Sequence, residues 1–515
     1  MSMIEKGSAA PRWDLILLCA GLAGMTILDL SKITVALPAI DHEFNSGPIG
    51  LQLIVAAYIV SYALVLIPLG RLGDSNLRKP IMIGAVMLYL GASIGCALAP
   101  GIGLLVASRI AQGVSAGILM PQVLGTMHAA LQGPDRGRGF GAYGLTVNAS
   151  LALGPVLGGA LMSMSESGES WRWVFWMNVP IGVAALVAVL RFAPSGTGHP
   201  PAGRLHLASL AVFGAALILA LFPLVITTGE KSDWGSRWWL LVPACLLALL
   251  FVRLERRAPA KGRWPLIDPY LFTLPTYRNG LAIATSWFAA NLGIVFVITL
   301  FLQMGVGISP FAAGLANVTF AVAAAFTSWF GARRIPQFGR TVVVVGILIA
   351  LVGLLATALV ELLLPFDVVP FVLPVSQALA GCGAGLVISP NQALSLENVD
   401  KAKGGSASAV TQLGQRVGNS VGTAACAAVF FGILASSDTL GELGPEQFRA
   451  AFAGGLGIVG AFMMVALAVA LFDLRSRKRT APAPAHASAA AKTALQEIES
   501  EYHAPSDATQ QLKRK

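Results

Sequence analysis

The sequence predicts an all-α integral membrane protein, and three observations carry the prediction. Hydrophobic residues make up 56% of the 515 and charged residues only 12%, a balance foreign to soluble multidomain chains. The apolar residues gather into runs of the roughly 20 residues that a bilayer-crossing helix needs. The basic residues concentrate in every second loop between those runs.

Taken in order, fourteen runs qualify: 15–37, 51–70, 80–99, 104–127, 139–163, 173–191, 205–227, 237–253, 280–303, 309–330, 341–361, 367–388, 405–433 and 450–472. The first reads as a retained helix rather than a signal peptide, because no small-residue cleavage site follows a short core. Arg71, Arg78, Lys79, Arg136, Arg138, Arg256 and Arg257 fall in alternate loops, which the positive-inside rule assigns to the cytoplasm. The opposite loops carry Asp41, Glu43, Glu169, Glu230 and Glu442. An even span count then puts both termini inside. The formal charge of +10 follows from this asymmetry, with lipid headgroups as the expected partners and no nucleic acid.

The spacing of the runs divides the chain. A short cytoplasmic segment (1–14) precedes a block of six spans (15–192). An inserted pair of spans (205–253) and a cytoplasmic linker (254–279) follow. A second six-span block (280–473) leads to a tail (474–515) too poor in apolar residues to fold alone. The linker is basic and rich in proline and aromatics, and its apolar side is expected to lie on the membrane surface. The loops "GRLGDSNLRK" and "GARRIPQFGR", after spans two and ten, form a faint repeat consistent with paired halves. The five cysteines sit in spans at unrelated positions, so neither a disulfide framework nor a metal site is expected. No phosphate-cradling Gly-x-x-x-x-Gly-Lys-Ser/Thr loop is present, and no nucleophile with an adjacent base. These absences argue against a primary pump, an enzyme or a cofactor.

Four stretches stand out. They are the loop "GRLGDSNLRKP" (70–80), "LVASRIAQGVSAG" (105–117), "SLALGPVLGGAL" (150–161) and "WRWVFWMNVPIG" (171–182). Together they resemble the major facilitator superfamily, specifically its fourteen-span drug/proton antiporter branch. The resemblance implies a major facilitator fold of two six-helix bundles plus two extra central helices, in the cell membrane, acting as a monomer. It implies export of drugs or other amphipathic small molecules in exchange for protons. An exporter of a lipid, peptide or endogenous metabolite remains open, as does a proton symporter.

The resemblance also assigns roles. Gly70, Gly73, Asp74, Arg78 and Lys79 form a conformational latch, with Ser75 and Leu77 departing from the usual basic residue and glycine. Gly154, Pro155, Gly158 and Gly159 form the antiporter signature; the glycines permit close helix approach and the proline bends the span. Arg109 is implicated in proton coupling. Trp171, Arg172, Trp173 and Phe175 have a sufficient physical reason as anchors at the outer interface.

"LDLSKITVALP" (28–38) resembles the family's first-span motif, with Lys32 where an apolar residue is usual. Counted back from Pro38, Asp29 lies roughly 14 Å and Lys32 roughly 9 Å below the outer surface, and Arg109 lies at roughly 9 Å. The first and fourth spans are neighbours in this superfamily, so the three charges are expected to meet as the proton-linked site. Whether Asp29 takes up the proton or Lys32 releases it stays open, as does a purely structural pair with Lys32 snorkelling outward. In "TQLGQRVGNSVGTA" (411–424), Arg416 lies roughly 17 Å into its span, and Gln412, Gln415 and Arg416 are expected at a substrate cavity. Asn291 and Asn148 are further intramembrane polar groups considered for it.

Overall fold

The computed structural model describes residues 12–72, 77–164, 169–194, 204–205, 207–225, 238–258, 263–436 and 444–480. A compact body spans Met1–Leu471, and a separate C-terminal unit comprises Phe472–Lys515. The described part of that unit continues the last helix to Thr480; the tail expected beyond it lies outside the described residues.

The first group of helices comprises α1 (Trp13–Phe44), α2 (Gly47–Leu72), α3 (Arg78–Ala97), α4 (Ile102–Ala130), α5 (Gly133–Ser163), α6 (Arg172–Trp176) and α7 (Asn178–Phe192). Between the groups run strand β1 (Arg204–Leu205), α8 (Leu207–Val225), α9 (Leu241–Arg257), strand β2 (Arg263–Trp264) and α10 (Tyr270–Thr273). The second group comprises α11 (Pro275–Leu300), α12 (Pro310–Ala316), α13 (Val318–Arg333), α14 (Ile335–Phe338), α15 (Thr341–Leu363), α16 (Val369–Ser395), α17 (Gly404–Ser436) and α18 (Pro445–Thr480). Turn chemistry sets the boundaries. Asn45 ends α1 at a φ of 47°, the left-handed conformation that asparagine tolerates. Gly133 opens α5 at 54°, followed by a proline whose missing N–H is harmless in the first turn.

Among the described residues, 12 helical segments are long and apolar enough to cross a membrane, two fewer than the fourteen expected. The shortfall is the central pair. α9 is 17 residues long and its last turns carry Arg253, Glu255, Arg256 and Arg257, while α8 is 19 residues long and its fully described apolar stretch is Ala208–Ala220. The pair is nevertheless packed into the body: Phe213 meets Phe251 at 5.3 Å between ring centroids, and both join Ala63 and Ile67 of α2 in one apolar cluster.

Within the first group α1 lies on α5, and α4 on α2 and α3; within the second, α11 lies on α17, and α16 on α13 and α15. The groups meet where α17 crosses α2 and α4, and where α5 crosses α13 and α16. Glycines bring these backbones together near the end that carries the basic loops. A Cβ added at Gly70 would stand 2.6 Å from Ala409 Cβ, one at Gly125 2.9 Å from the Gly405 backbone, and one at Gly144 1.8 Å from Ser389 Oγ. Polar bonds seal the same end. Arg136 donates to the Ala393 carbonyl at 2.7 Å, the His128 ring meets the Val399 carbonyl at 2.9 Å, and Trp13 stacks on Trp329 at 6.3 Å.

The linker does not lie free with its apolar side outward. β1 and β2 pair in parallel, Arg204 opposite Arg263, and Leu266 and Leu271 are buried in the helix clusters. The Ile267 N–H donates to Glu255 at 3.1 Å, Arg71 donates to the Pro265 carbonyl, and Lys403 pairs with Asp268 at 2.7 Å. Covering these leucines against protein removes more apolar surface from water than a loose surface contact. Burial opposes ionisation of Asp268, but the hydrogen bonds from Lys403 and the Tyr270 N–H outweigh it and hold its carboxyl below the ordinary 3.8. A folded-state value below the unfolded one stabilises above the unfolded value, so this clasp holds above about pH 3.8 and is lost as acid protonates it.

The glycine seams make a stability prediction. Gly144→Val, which drives a side chain into Ser389 and Ser328, lowers stability by about 1–3 kcal/mol. Gly84→Val, where a Cβ meets nothing within 4 Å, leaves stability unchanged to within about 0.5 kcal/mol, because valine is no worse a helix former than glycine. Thermal unfolding of both variants in one detergent measures the difference.

Candidate functional site

Five helices contribute to one buried polar node inside the first group. Asp29 and Lys32 stand three apart on α1, hence on one face, and Arg109 comes from α4; all three are fully buried. Arg109 Nη1 donates to Asp29 Oδ2 at 2.8 Å, and Lys32 Nζ lies 3.6 Å from Asp29 Oδ1. The expected triad of charges is therefore brought together in space. Two cations share one carboxylate, so the node is net positive when every member is ionised.

The remaining contacts come from residues to which the sequence assigned no such role. Asn178, the first residue of α7, donates to Asp29 Oδ1 at 2.7 Å and accepts from Lys32 Nζ, bridging both charges with one amide. A break between α6 and α7 at Met177 aims it there. Gln112, one helical turn after Arg109, accepts from Arg109 at 2.9 Å and donates to Ser93 Oγ of α3 at 2.8 Å. Tyr58 of α2 covers the guanidinium at 4.4 Å. Arg109 Nη2 is buried with no hydrogen-bond partner among the described residues. Gln112 is legible, since a polar residue at i+3 from an intramembrane arginine shares its face; Asn178 stands in a stretch dominated by aromatics, which mask a neutral amide. Nothing in a single sequence singles out Ser93 or Tyr58.

The antiporter signature acts on this node through packing. A Cβ at Gly154 would stand 1.8 Å from Ser31 Oγ and 3.0 Å from the Lys32 nitrogen, and one at Gly158 3.1 Å from the Lys32 carbonyl. The bare face of α5 thus seats the turn of α1 that carries Lys32, and Ser31 Oγ ties the two by donating to the Ser150 carbonyl at 3.0 Å. Pro155 lies within the same helix, and Gly159 is half-buried beside it.

Other expected sites are placed differently. In the latch, Gly70 lies against α17, Arg78 is buried and Lys79 donates to the Leu190 carbonyl at 2.8 Å; Gly73 and Asp74 lie outside the described residues. Trp171 and Phe175 are fully buried, whereas Trp173 is 53% exposed. Trp171 meets Phe44 edge-on at 5.7 Å, and Arg172 pairs with Glu43 at 2.7 Å. Two of the four supposed interfacial anchors are therefore internal packing, because α6 turns them toward the end of α1.

Between the two groups, α17 presents a second polar face. The Arg416 guanidinium covers the Tyr62 ring at 4.6 Å, and Tyr62 donates to Gln412 Oε1 at 2.5 Å. Gln415 donates to Gln392 Oε1 of α16 at 3.2 Å. Tyr62 stacks near Tyr58 at 6.4 Å, so two aromatic rings connect this face to the buried node. Asn291 Oδ1 is buried without a partner among the described residues. Asn148 is committed elsewhere, donating to the Gly144 carbonyl at 2.8 Å and to Ser328 of α13 at 3.4 Å. It ties helices together.

A sequence model described as Major Facilitator Superfamily matches residues 18–423. Curated relatives include the probable actinorhodin transporter of Streptomyces coelicolor, 31% identical over 84% of this chain and 74% of that protein. Multidrug resistance protein Stp of Mycobacterium tuberculosis is 28% identical over 81% of this chain and 75% of its own length. Among solved structures, a human organic anion transporter, MFSD10, aligns with a TM-score of 0.60 at 17% identity, covering 88% of this chain and 99% of that one. The proton:xylose symporter XylE aligns at 0.61 and 14%, covering 90% and 95%. At these identities the two structures establish the fold.

The node predicts an order of stabilities. Asp29→Asn leaves two buried cations without a carboxylate and costs about 3–5 kcal/mol, the usual penalty for stranding a buried charge. Lys32→Met leaves a balanced Arg109–Asp29 pair and costs clearly less. Thermal unfolding of the detergent-solubilised variants checks the order.

Proposed function

Because the chain belongs to the Major Facilitator Superfamily, and is a multi-pass transporter of the cell membrane rather than an enzyme, we propose that it exports lipophilic or amphipathic small molecules in exchange for protons. Relatives named for drug resistance and efflux support the direction. The observation that carries the reading is the node: a carboxylate with a guanidinium at 2.8 Å and an ammonium at 3.6 Å, all three fully buried. Ionisable groups inside a membrane bundle are costly to bury and mark functional sites, proton relays among them. A proton gained by Asp29 or lost by Lys32 changes the pairing of the whole cluster.

In this reading α1–α7 and α11–α18 are two six-span halves, the basic loops and both termini face the cytoplasm, and the α8–α9 pair is an inserted couple that completes fourteen spans. The glycine seams then close the cytoplasmic end, the arrangement required of an outward-facing state. Protonation at the node loosens the grip of α1 on α4 and α7, and the Gly154–Gly158 face of α5 lets α1 rock against it. The loop around Gly70, Gly73, Asp74, Arg78 and Lys79 latches one of the two states. The proton gradient is sufficient: one pH unit supplies about 1.4 kcal/mol and each charge crossing 100 mV about 2.3 kcal/mol.

A second reading, export of an endogenous metabolite, is favoured by the relative named a probable actinorhodin transporter; it differs in cargo and leaves the coupling site unchanged. Proteoliposomes with an imposed pH difference test the coupling. Asp29→Asn and Lys32→Ala are expected to lose at least tenfold of the gradient-driven flux while retaining exchange of cargo without a gradient. Full gradient-driven flux in both variants ends the proposal.

A further inference from the structure

We propose that the α17 face around Arg416 is an anion-binding subsite and that the cargo is an aromatic or amphipathic anion rather than a cation. This inference rests on the export reading and specifies its cargo.

The charge distribution comes first. α11, α13, α16 and α17 contain no Asp or Glu, nor do α2 and α4. On α5 the one acid is Asp135, which pairs with Arg138 at 2.8 Å in the first turn, at the sealed end. Of the four carboxylates on α1, Asp14 pairs with Arg12 in the first turn, Asp41 accepts from the Gly47 N–H and Glu43 pairs with Arg172 in the last, and Asp29 in mid-helix is shared between Arg109 and Lys32. A cationic cargo passing between the two groups meets Arg416 and a net-positive node, and in the middle of these helices the described residues offer no carboxylate besides the shared Asp29. Lys32 decides this balance, since without it Asp29 and Arg109 would cancel.

The second observation is a surplus of donors. Arg416 is half-buried, and its neighbour is a tyrosine ring, which attracts a cation without neutralising it. Gln412 Nε2 and Gln392 Nε2 are both buried with no hydrogen-bond partner among the described residues. Gln412 has its oxygen engaged by Tyr62, and Gln392 by Gln415, so each directs an unused N–H at its surroundings. A guanidinium fork with the free amide donor of Gln412 one helical turn away on the same face suits a carboxylate or similar planar oxyanion, which takes two parallel N–H bonds. Leaving such donors empty inside a protein is unfavourable, and an anion satisfies them while restoring charge balance.

The third observation selects an aromatic body. Arg109, Tyr58, Tyr62 and Arg416 form a ladder with spacings of 4.4, 6.4 and 4.6 Å. Both tyrosines are buried under the arginines in this conformer, so a flat ring carrying the anionic group gains the Tyr62 face as Arg416 turns to the anion. Its charge, in engaging Arg416, draws that cation from Tyr62, two rings from the proton-linked node. A negative-inside membrane potential also drives such an anion outward.

Three probes that share one ring system test the assignment: anthracene-9-carboxylate, 9-(hydroxymethyl)anthracene and 9-(aminomethyl)anthracene. Their fluorescence reports equilibrium binding to the full chain in nanodiscs, corrected with empty discs. The carboxylate is expected to bind at least tenfold tighter than the alcohol, and the amine weakest. Arg416→Gln is expected to erase the carboxylate preference while leaving alcohol affinity within threefold, and Arg416→Lys to keep part of it. Gln412→Leu, a milder change, is expected to reduce the preference at least threefold. An amine that binds as tightly as the carboxylate overturns the subsite without any variant, as does an unchanged preference in folded Arg416→Gln. Flux in proteoliposomes separates the two claims: intact preference without pH-driven flux removes the export reading, and pH-driven flux without preference removes the subsite.

Discussion

One carboxylate held between two cations organises this molecule. Asp29 receives Arg109 on one oxygen, and Asn178 on the other with Lys32 beside it. Burying charge is expensive unless each partner is well placed, and four further helices supply partners for residues on α1. Remove the carboxylate and two buried cations repel each other in a medium that screens poorly. The surrounding architecture follows from this demand: glycines on α5 admit the α1 turn, a helix break frees Asn178, and a tyrosine ring covers the guanidinium.

The same node bears on the second half of the chain through aromatic contact. Tyr58 touches the cluster, Tyr62 touches Arg416 and Gln412 on α17, and both stand on α2. A helix that contacts both groups of helices, and is itself held by glycine seams against α4 and α17, is well placed to relay a change in either. The basic end is closed by backbone-to-backbone approaches that leave little room for a side chain, so opening it requires the helices to move as bodies. Packed seams of this kind favour two discrete arrangements over continuous deformation.

Much of this was legible in the sequence, for identifiable reasons. Hydrophobic runs of membrane length are the strongest signal a chain carries, and twelve of them appear as long apolar helices. The central pair is the least clear of the runs, because α9 is only 17 residues long and its last turns carry Arg253, Glu255, Arg256 and Arg257. The meeting of Asp29, Lys32 and Arg109 was legible because charges in apolar runs are rare and their depths fall within roughly 5 Å of one another. Asn178 was not, since a neutral amide among tryptophans looks like part of an interfacial belt until the break at Met177 turns it inward. Trp171 misled for the same reason: composition places an aromatic near the interface but does not say which way the helix faces. The ladder through Tyr58 and Tyr62 depends on tertiary packing between α2 and α17, which no local pattern encodes.

The central claim is that occupancy of the cavity changes the protonation of the buried charge cluster. Calorimetric titration of the purified chain with a bound anthracene probe, repeated in buffers of different ionisation enthalpy, counts protons exchanged per molecule bound. The account predicts about one proton per binding event in the wild type, and none in a variant carrying both Asp29→Asn and Lys32→Met. Equal proton counts in the two proteins would contradict it.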